Sequence, residues 1–108
     1  DAAFARAKAG SMNRRGMGAR RIDQALGAAG IDSALRQAVQ PEPQEARQAA
    51  LALARKRRLG PFGPPVIDRA MREKQVAVLL RAGHRLDIAR EVVEATSVEV
   101  LEQWVEEA

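Results

Sequence analysis

Glycine and proline interrupt the helical periodicity of this chain at short intervals, and these interruptions limit what it can fold into. Gly30 and Gly83 each follow an amphipathic stretch, where glycine readily ends a helix because it adopts the left-handed conformation without a Cβ penalty. Pro41 and Pro43 separate two halves of the chain, and the segment 59–65 holds too much glycine and proline to be helical throughout. We therefore expect a series of short elements rather than one long helix.

The apolar residues between these breaks recur at helical spacing. Aromatic residues make up only 3% of the chain and alanine is abundant, a composition that suits closely packed helices better than a β-sandwich. We predict an all-α protein in which Asp32 caps the third helix, Thr96 and Glu99 form a capping box, and Phe62 anchors its turn in the core. The predicted helices cover about residues 2–15, 19–28, 33–39, 44–58, 66–82, 87–94 and 96–108.

The second half of the chain repeats the pattern of the first. The pentapeptide 22–26 is echoed at 67–71, and each copy precedes a glycine that ends a helix. This pattern predicts tandem three-helix repeats in an elongated molecule, with a middle helix about two turns longer in the second unit. The predicted parts are a unit at 1–40, a second unit at 41–95 and an acidic amphipathic C-terminal helix at 96–108.

The net charge of +4 conceals an uneven distribution along the chain. All 18 lysines and arginines fall within residues 1–90, whereas residues 91–108 carry six glutamates and no basic residue. A basic body with an acidic end predicts an anionic partner for the body. For the charge balance alone, an ordinary solvated surface is an equal alternative.

Basic residues concentrate beside the predicted turns. Arginine suits phosphate because its planar guanidinium donates two parallel hydrogen bonds, and neutralised phosphates release counterions. Corresponding turns of a repeat tend to lie along one side, so we expect the clusters to form a stripe that contacts DNA phosphate or a protein partner. For the run 55–58, compensation of the helix dipole is the alternative. The expected contact residues are Arg20, Arg21, Arg55, Lys56, Arg57, Arg58, Arg81 and Arg85.

Residue types needed for catalysis are scarce. The chain has one histidine and no cysteine or tyrosine, so we predict no catalytic residue, no metal site and no cofactor. We expect His84 to be a packed turn residue rather than a ligand, and Trp104 to dock the last helix rather than to anchor a partner. No apolar stretch is long enough to span a membrane, and we expect a cytoplasmic protein.

Several motifs, each modest alone, follow one another along the turns of this chain. In the first half they are Arg15-Gly16, Arg21-Ile22, Leu26 and Gly30-Ile31, and in the second half Ala49-Ala50, Arg57 to Phe62, Arg72 to Lys74 and Arg81 to Arg90. In their order and spacing these motifs resemble the second and third three-helix repeats of the RecX family, and the resemblance extends to about Ala95.

This resemblance implies a curved molecule that lies in the groove of a RecA-type recombinase filament on DNA. Such regulators impede filament growth and lower the ATPase, strand-exchange and coprotease activities of RecA. The implied partners are the recombinase and the DNA backbone, and we expect a monomer that binds no membrane. Two alternatives stay open, a general helical DNA-binding protein and a protein scaffold that uses residues 97–108.

The sequence departs from the RecX pattern in two places. RecX proteins normally carry another three-helix repeat before this point, so we expect the chain to be truncated or to lack that repeat. His84 and Arg85 stand where the family often has an aromatic residue and a serine. This exchange weakens a hydrophobic anchor and a helix cap and adds a cation.

Overall fold

The computed structural model describes all residues 1–108 and contains seven α-helices, one 3-10 turn and no strand. The molecule measures 46 × 26 × 20 Å, so the prediction of an elongated all-α protein is confirmed. The elements are α1 (Ala2–Arg14), α2 (Ala19–Ala28), α3 (Ser33–Ala38), α4 (Pro43–Arg57), a 3-10 turn (Gly60–Phe62), α5 (Arg69–Arg81), α6 (Leu86–Glu94) and α7 (Val98–Glu106).

Helices α1 to α3 form a first unit around its own small core. Ile22 and Leu26 of α2 are fully buried there. As predicted, the Asp32 carboxylate caps α3 by accepting a hydrogen bond from the Leu35 backbone N–H at 2.9 Å. The six buried residues of this core are Ala5, Ala9, Met12, Ile22, Leu26 and Ile31.

Helices α4 to α6 form a second unit with a larger core of 11 buried residues, and α7 packs on the same core. Leu101 and Val105 of α7 are buried in it. The Arg47 guanidinium of α4 lies 4.8 Å from the centroid of the Trp104 ring and donates a hydrogen bond to the Trp104 carbonyl. Trp104 therefore docks the acidic helix onto the body, as expected from the sequence.

The predicted start and length of the middle helix in the second unit are wrong. Helix α5 begins at Arg69 rather than at Val66, because the Asp68 carboxylate accepts the Met71 backbone N–H at 2.8 Å and ends the preceding non-helical segment. Helix α5 has 13 residues against 10 in α2, a difference of less than one turn. The longest helix is instead α4, with 15 residues.

Two helix starts also differ from the sequence prediction. The cap of α7 is Ser97, whose Oγ accepts the Val100 backbone N–H at 3.1 Å, so the predicted Thr96 and Glu99 capping box is wrong by one residue of register. A capping box of glutamates occurs at α4 instead. That helix begins with Pro43, since the first helical position needs no backbone N–H.

The glycine- and proline-rich segment between α4 and α5 is an ordered turn, as predicted. Phe62 is half-buried against the second core, and the Arg55 guanidinium lies 4.8 Å from the centroid of its ring. The Gly60 backbone N–H donates to Gln75 Oε1 at 2.7 Å, which ties this turn to α5. The segment therefore holds the end of α4 against the rest of the second unit.

The two units pack together through α1 and α4, and they also meet where two glycine turns touch through their backbones. The Gly18 N–H donates to the Ala82 carbonyl at 2.8 Å, and the Arg20 N–H donates to the Gly83 carbonyl at 3.1 Å. A Cβ atom on Gly18 would lie 2.3 Å from the carbonyl carbon of Gly83. Only glycine therefore fits at position 18. We call this contact between the turn at Gly18 and the turn at Gly83 the seam.

Replacing Gly18 with alanine should destabilise the protein by about 1–3 kcal/mol, because the added methyl group must push the two turns apart. The matched control is Gly27→Ala at an exposed position of α2, where a Cβ would make ordinary contacts of 3.8 Å with the Arg36 side chain. This control should stabilise by about 0.5–1 kcal/mol through its higher helix propensity. Urea unfolding followed by circular dichroism measures both, and equal stability of the two variants would contradict the role given to the seam.

Candidate nucleic-acid interface

The seam decides which arginines come together. Arg20 and Arg21 lie in the first turn of α2, directly after Gly18, whereas Arg81 ends α5 and Arg85 precedes α6. Because the glycine turns touch, cationic side chains from both units gather beside the contact. They divide into two clusters that line separate depressions with no residue in common.

The first group, the triple-arginine cluster, consists of Arg21, Arg57 and Arg81 from three different helices. They line a depression of about 210 Å³ that contains no carboxylate. Arg21 Nη1 donates to the Arg81 backbone carbonyl at 3.0 Å, which ties α2 of the first unit to α5 of the second. The other residues that line this depression are Met17, Leu53, Val78 and Ala82.

The second group, the mixed-charge cleft, gathers Arg20, Arg85 and Arg90 around a cleft of about 1010 Å³. Carboxylates stand among these arginines. Arg85 Nε lies 3.4 Å from Asp87 Oδ1, and Asp23 Oδ1 accepts a hydrogen bond from Arg36 at 3.0 Å. The positive charge inside this cleft is therefore partly balanced. The other residues that line it are Ala19, Gln24, Gln40 and Leu86.

The basic run at the end of α4 is divided among different environments. Arg57 joins the triple-arginine cluster, and Lys56 Nζ reaches the carbonyl of Arg15 in the first unit at 3.4 Å. Arg55 stacks on Phe62, and Arg58 adopts the left-handed conformation with φ 58° as the C-cap of α4. The structure therefore brings Arg57 to the seam arginines, while Arg55 and Arg58 line neither seam depression.

Arg90 also lies at the seam; the sequence places it in the basic cluster around the Gly83 turn, but the expected contact set lacked it. It lies four residues after Leu86 on α6, so both side chains are on one helix face and line the mixed-charge cleft together. The four-residue spacing between Leu86 and Arg90 on the predicted helix indicates that the two side chains share a face. The facing residues Arg20 and Asp23 belong to another helix, and no local pattern places them there.

His84 is a buried part of the seam, with 2% of its surface exposed. Its Nε2–H donates to the Gly16 carbonyl at 2.8 Å. Burial lowers the pKa of His84 below 6.5, and the hydrogen bond to Gly16 only partly opposes this shift. The expectation of a packed turn histidine is confirmed, and the neutral ring links the two units.

The structure brings together no group of three His, Asp or Glu side chains that could hold a metal ion. None of the helices is long and apolar enough to cross a membrane. The seam instead gathers arginine side chains, which line both of its depressions.

Comparison with known families identifies the first unit. Residues 1–39 match the family model described as RecX, second three-helix domain. The first unit of this chain is therefore similar to the second three-helix domain of RecX proteins. The match spans α1 to α3, so the RecX resemblance of the first half is confirmed for the repeat to which its motifs pointed. No curated protein and no solved structure shows significant similarity to this chain.

RecX is a family of regulatory proteins rather than enzymes. In this chain, both seam clusters combine residues inside the matched unit with residues of α4 to α6 beyond it. A function of the seam therefore requires both units.

The buried His84 makes the stability of this protein depend on pH. Its folded-state pKa lies below the unfolded value of 6.5, so the unfolded chain takes up the proton first as the pH falls. The contribution of His84 is fully present above pH 6.5 and is lost as the pH falls from 6.5 towards the folded-state pKa. Urea unfolding between about pH 8 and pH 5 should show this loss.

The control for this measurement is His84→Phe, which keeps a ring at the seam but cannot titrate. Carboxylates and the terminal amine contribute equally to both proteins, so the difference between the two pH profiles isolates His84. Identical profiles would show that the ring does not carry the expected pH dependence.

Proposed function

We propose that this chain, whose first unit matches a RecX domain, regulates a RecA-type recombinase by binding its filament on DNA, and that binding inhibits the ATPase, recombinase and coprotease activities. The observation that carries the proposal is the gathering of arginines from both units at the seam beside a unit that matches a RecX domain. A nucleoprotein filament offers protein surface and phosphates side by side. Two differently charged arginine clusters suit such a composite target.

The rigidity of the seam supports this proposal. Backbone hydrogen bonds at Gly18 and Arg20, together with the buried link from His84 to Gly16, fix the two units against each other. Binding groups held by packing lose less conformational entropy on association than flexible ones. The two clusters would therefore meet a filament as one preformed surface.

Regulation of this kind requires the protein to occupy the filament and does not require it to catalyse a reaction. A chain held along the filament would impede addition of further recombinase subunits and restrain the changes between subunits that accompany ATP hydrolysis. We propose that the protein acts as a monomer in the cytoplasm, in recombination, DNA repair and the SOS response. No bound cofactor enters the proposal.

General DNA binding is the second candidate function. The lack of carboxylates in the triple-arginine cluster favours it, because such a cluster suits phosphate whatever protein coats the DNA. A general DNA-binding protein would bind naked duplex as tightly as it binds a filament. A filament regulator would prefer the filament at equal ionic strength.

The test is the single-stranded-DNA-dependent ATPase of the cognate RecA-type recombinase, titrated with this chain. We expect inhibition at substoichiometric amounts relative to the recombinase. Reversing charge at Arg57 and Arg58 should raise the concentration needed for half-inhibition by about tenfold or more, since charge-assisted hydrogen bonds are lost. It should also reduce the salt dependence of filament binding.

The matched control reverses charge at Arg6 and Arg69, two exposed arginines outside both seam depressions. It changes the net charge equally and should retain inhibition. Circular dichroism verifies that both double variants keep their helix content. An ATPase unaffected by the folded wild-type chain would refute filament regulation, and equal binding to naked duplex and filament would favour the second candidate.

A further inference from the structure

The two arginine clusters at the seam differ in the charge that surrounds them. Arg21, Arg57 and Arg81 form no ion pair, and no acidic residue lines their depression. In the mixed-charge cleft, Asp23 and Asp87 stand among the arginines. The first cluster therefore carries uncompensated positive charge, whereas the second is partly neutralised.

We infer that the triple-arginine cluster holds one phosphodiester group of a nucleic-acid backbone, and that the mixed-charge cleft holds none. This inference rests on the proposed function and assigns the nucleic-acid contact to one of the two clusters. The carboxylates of Asp23 and Asp87 would repel a phosphate brought into the mixed-charge cleft. The depression beside Arg57 presents no such repulsion.

The surroundings of the triple-arginine cluster strengthen its attraction for an anion. Leu53, Val78 and Ala82 supply apolar lining, and apolar surface lowers the local dielectric constant so that charges interact more strongly than in open water. Guanidinium groups are weakly hydrated and lose little on leaving water. An anion placed among the three arginines would also relieve their mutual repulsion.

Arg21 is already positioned for this role. One of its terminal N–H groups donates to the Arg81 carbonyl at 3.0 Å, and the remaining donors of the guanidinium stay available for a phosphate oxygen. The same bond holds the end of α5, and thus the backbone of Arg81, beside α2. The Arg21 guanidinium is therefore held against the backbone of Arg81 before any ligand binds.

The experiment measures binding of the full chain to a fluorescein-labelled oligothymidine by fluorescence anisotropy at a series of KCl concentrations. Arg57→Gln should weaken binding about three- to tenfold. The slope of log K against log salt should fall by about 0.7, the value for one lost phosphate contact on a single strand. Arg57→Lys should keep the slope and recover only part of the affinity, because lysine lacks the planar fork.

The matched control is Arg90→Gln, which removes one cation from the mixed-charge cleft at the same seam. Both its affinity and its salt slope should stay at wild-type values. Repeating the series with a labelled duplex shows which form of the backbone the cluster prefers. Arg57 is exposed at the end of α4, and thermal unfolding of each variant verifies that it remains folded.

Three outcomes would overturn the inference: no binding of oligothymidine or duplex by the folded wild-type chain, an unchanged slope in Arg57→Gln, or equal losses in Arg57→Gln and Arg90→Gln. No recombinase is present, so these outcomes are distinct from failure of the proposed function. Suppressed ATPase with an unchanged Arg57→Gln slope would remove the phosphate assignment and leave filament regulation. If the salt slopes are as expected but the ATPase is unaffected, the phosphate assignment stands and filament regulation is refuted.

Discussion

The contact between two glycine turns, together with the packing of α1 on α4, joins the two units of this molecule. Each unit buries its own core, so neither core by itself fixes how the units sit relative to each other. The backbone groups of Gly18 and Gly83 touch at a distance that excludes a side chain, and the hydrogen bonds on either side of them set the register. Direct backbone packing leaves little freedom to slide, because a shift would leave buried donors and acceptors without partners.

Placing basic residues beside these turns converts a structural contact into a charged surface. Arg20 and Arg21 are neighbours in sequence, yet they line different depressions because successive residues of a helix point about 100° apart. The first turn of α2 thus contributes a cation to each cluster. The second unit contributes Arg81 before Gly83 and Arg85 after it. The turn at Gly83 lies between these two arginines, so Arg81 lines one depression and Arg85 the other.

Local sequence signals predicted most of the fold, because helix periodicity, glycine stops and the Asp32 cap depend on neighbouring residues. They failed where two local signals competed. Val66 and Ile67 fit the helical pattern of α5, but the cap formed by Asp68 excludes them, and Ser97 rather than Thr96 caps α7. The division of arginines into two clusters was beyond local reasoning, since it follows from contact between turns more than 60 residues apart.

His84 and Arg85 stand where the RecX repeats that this sequence resembles often have an aromatic residue and a serine. An aromatic residue at 84 would fill space but leave the Gly16 carbonyl without the donor that His84 supplies, and an unpaired buried carbonyl is costly. The histidine therefore joins the units by a directional bond as well as by packing. Arg85 gives α6 no side-chain cap, which a serine would provide, yet it adds a cation to the mixed-charge cleft. At this turn α6 lacks a stabilising side-chain cap, whereas the interface between the units gains the His84–Gly16 hydrogen bond and the positive charge of Arg85.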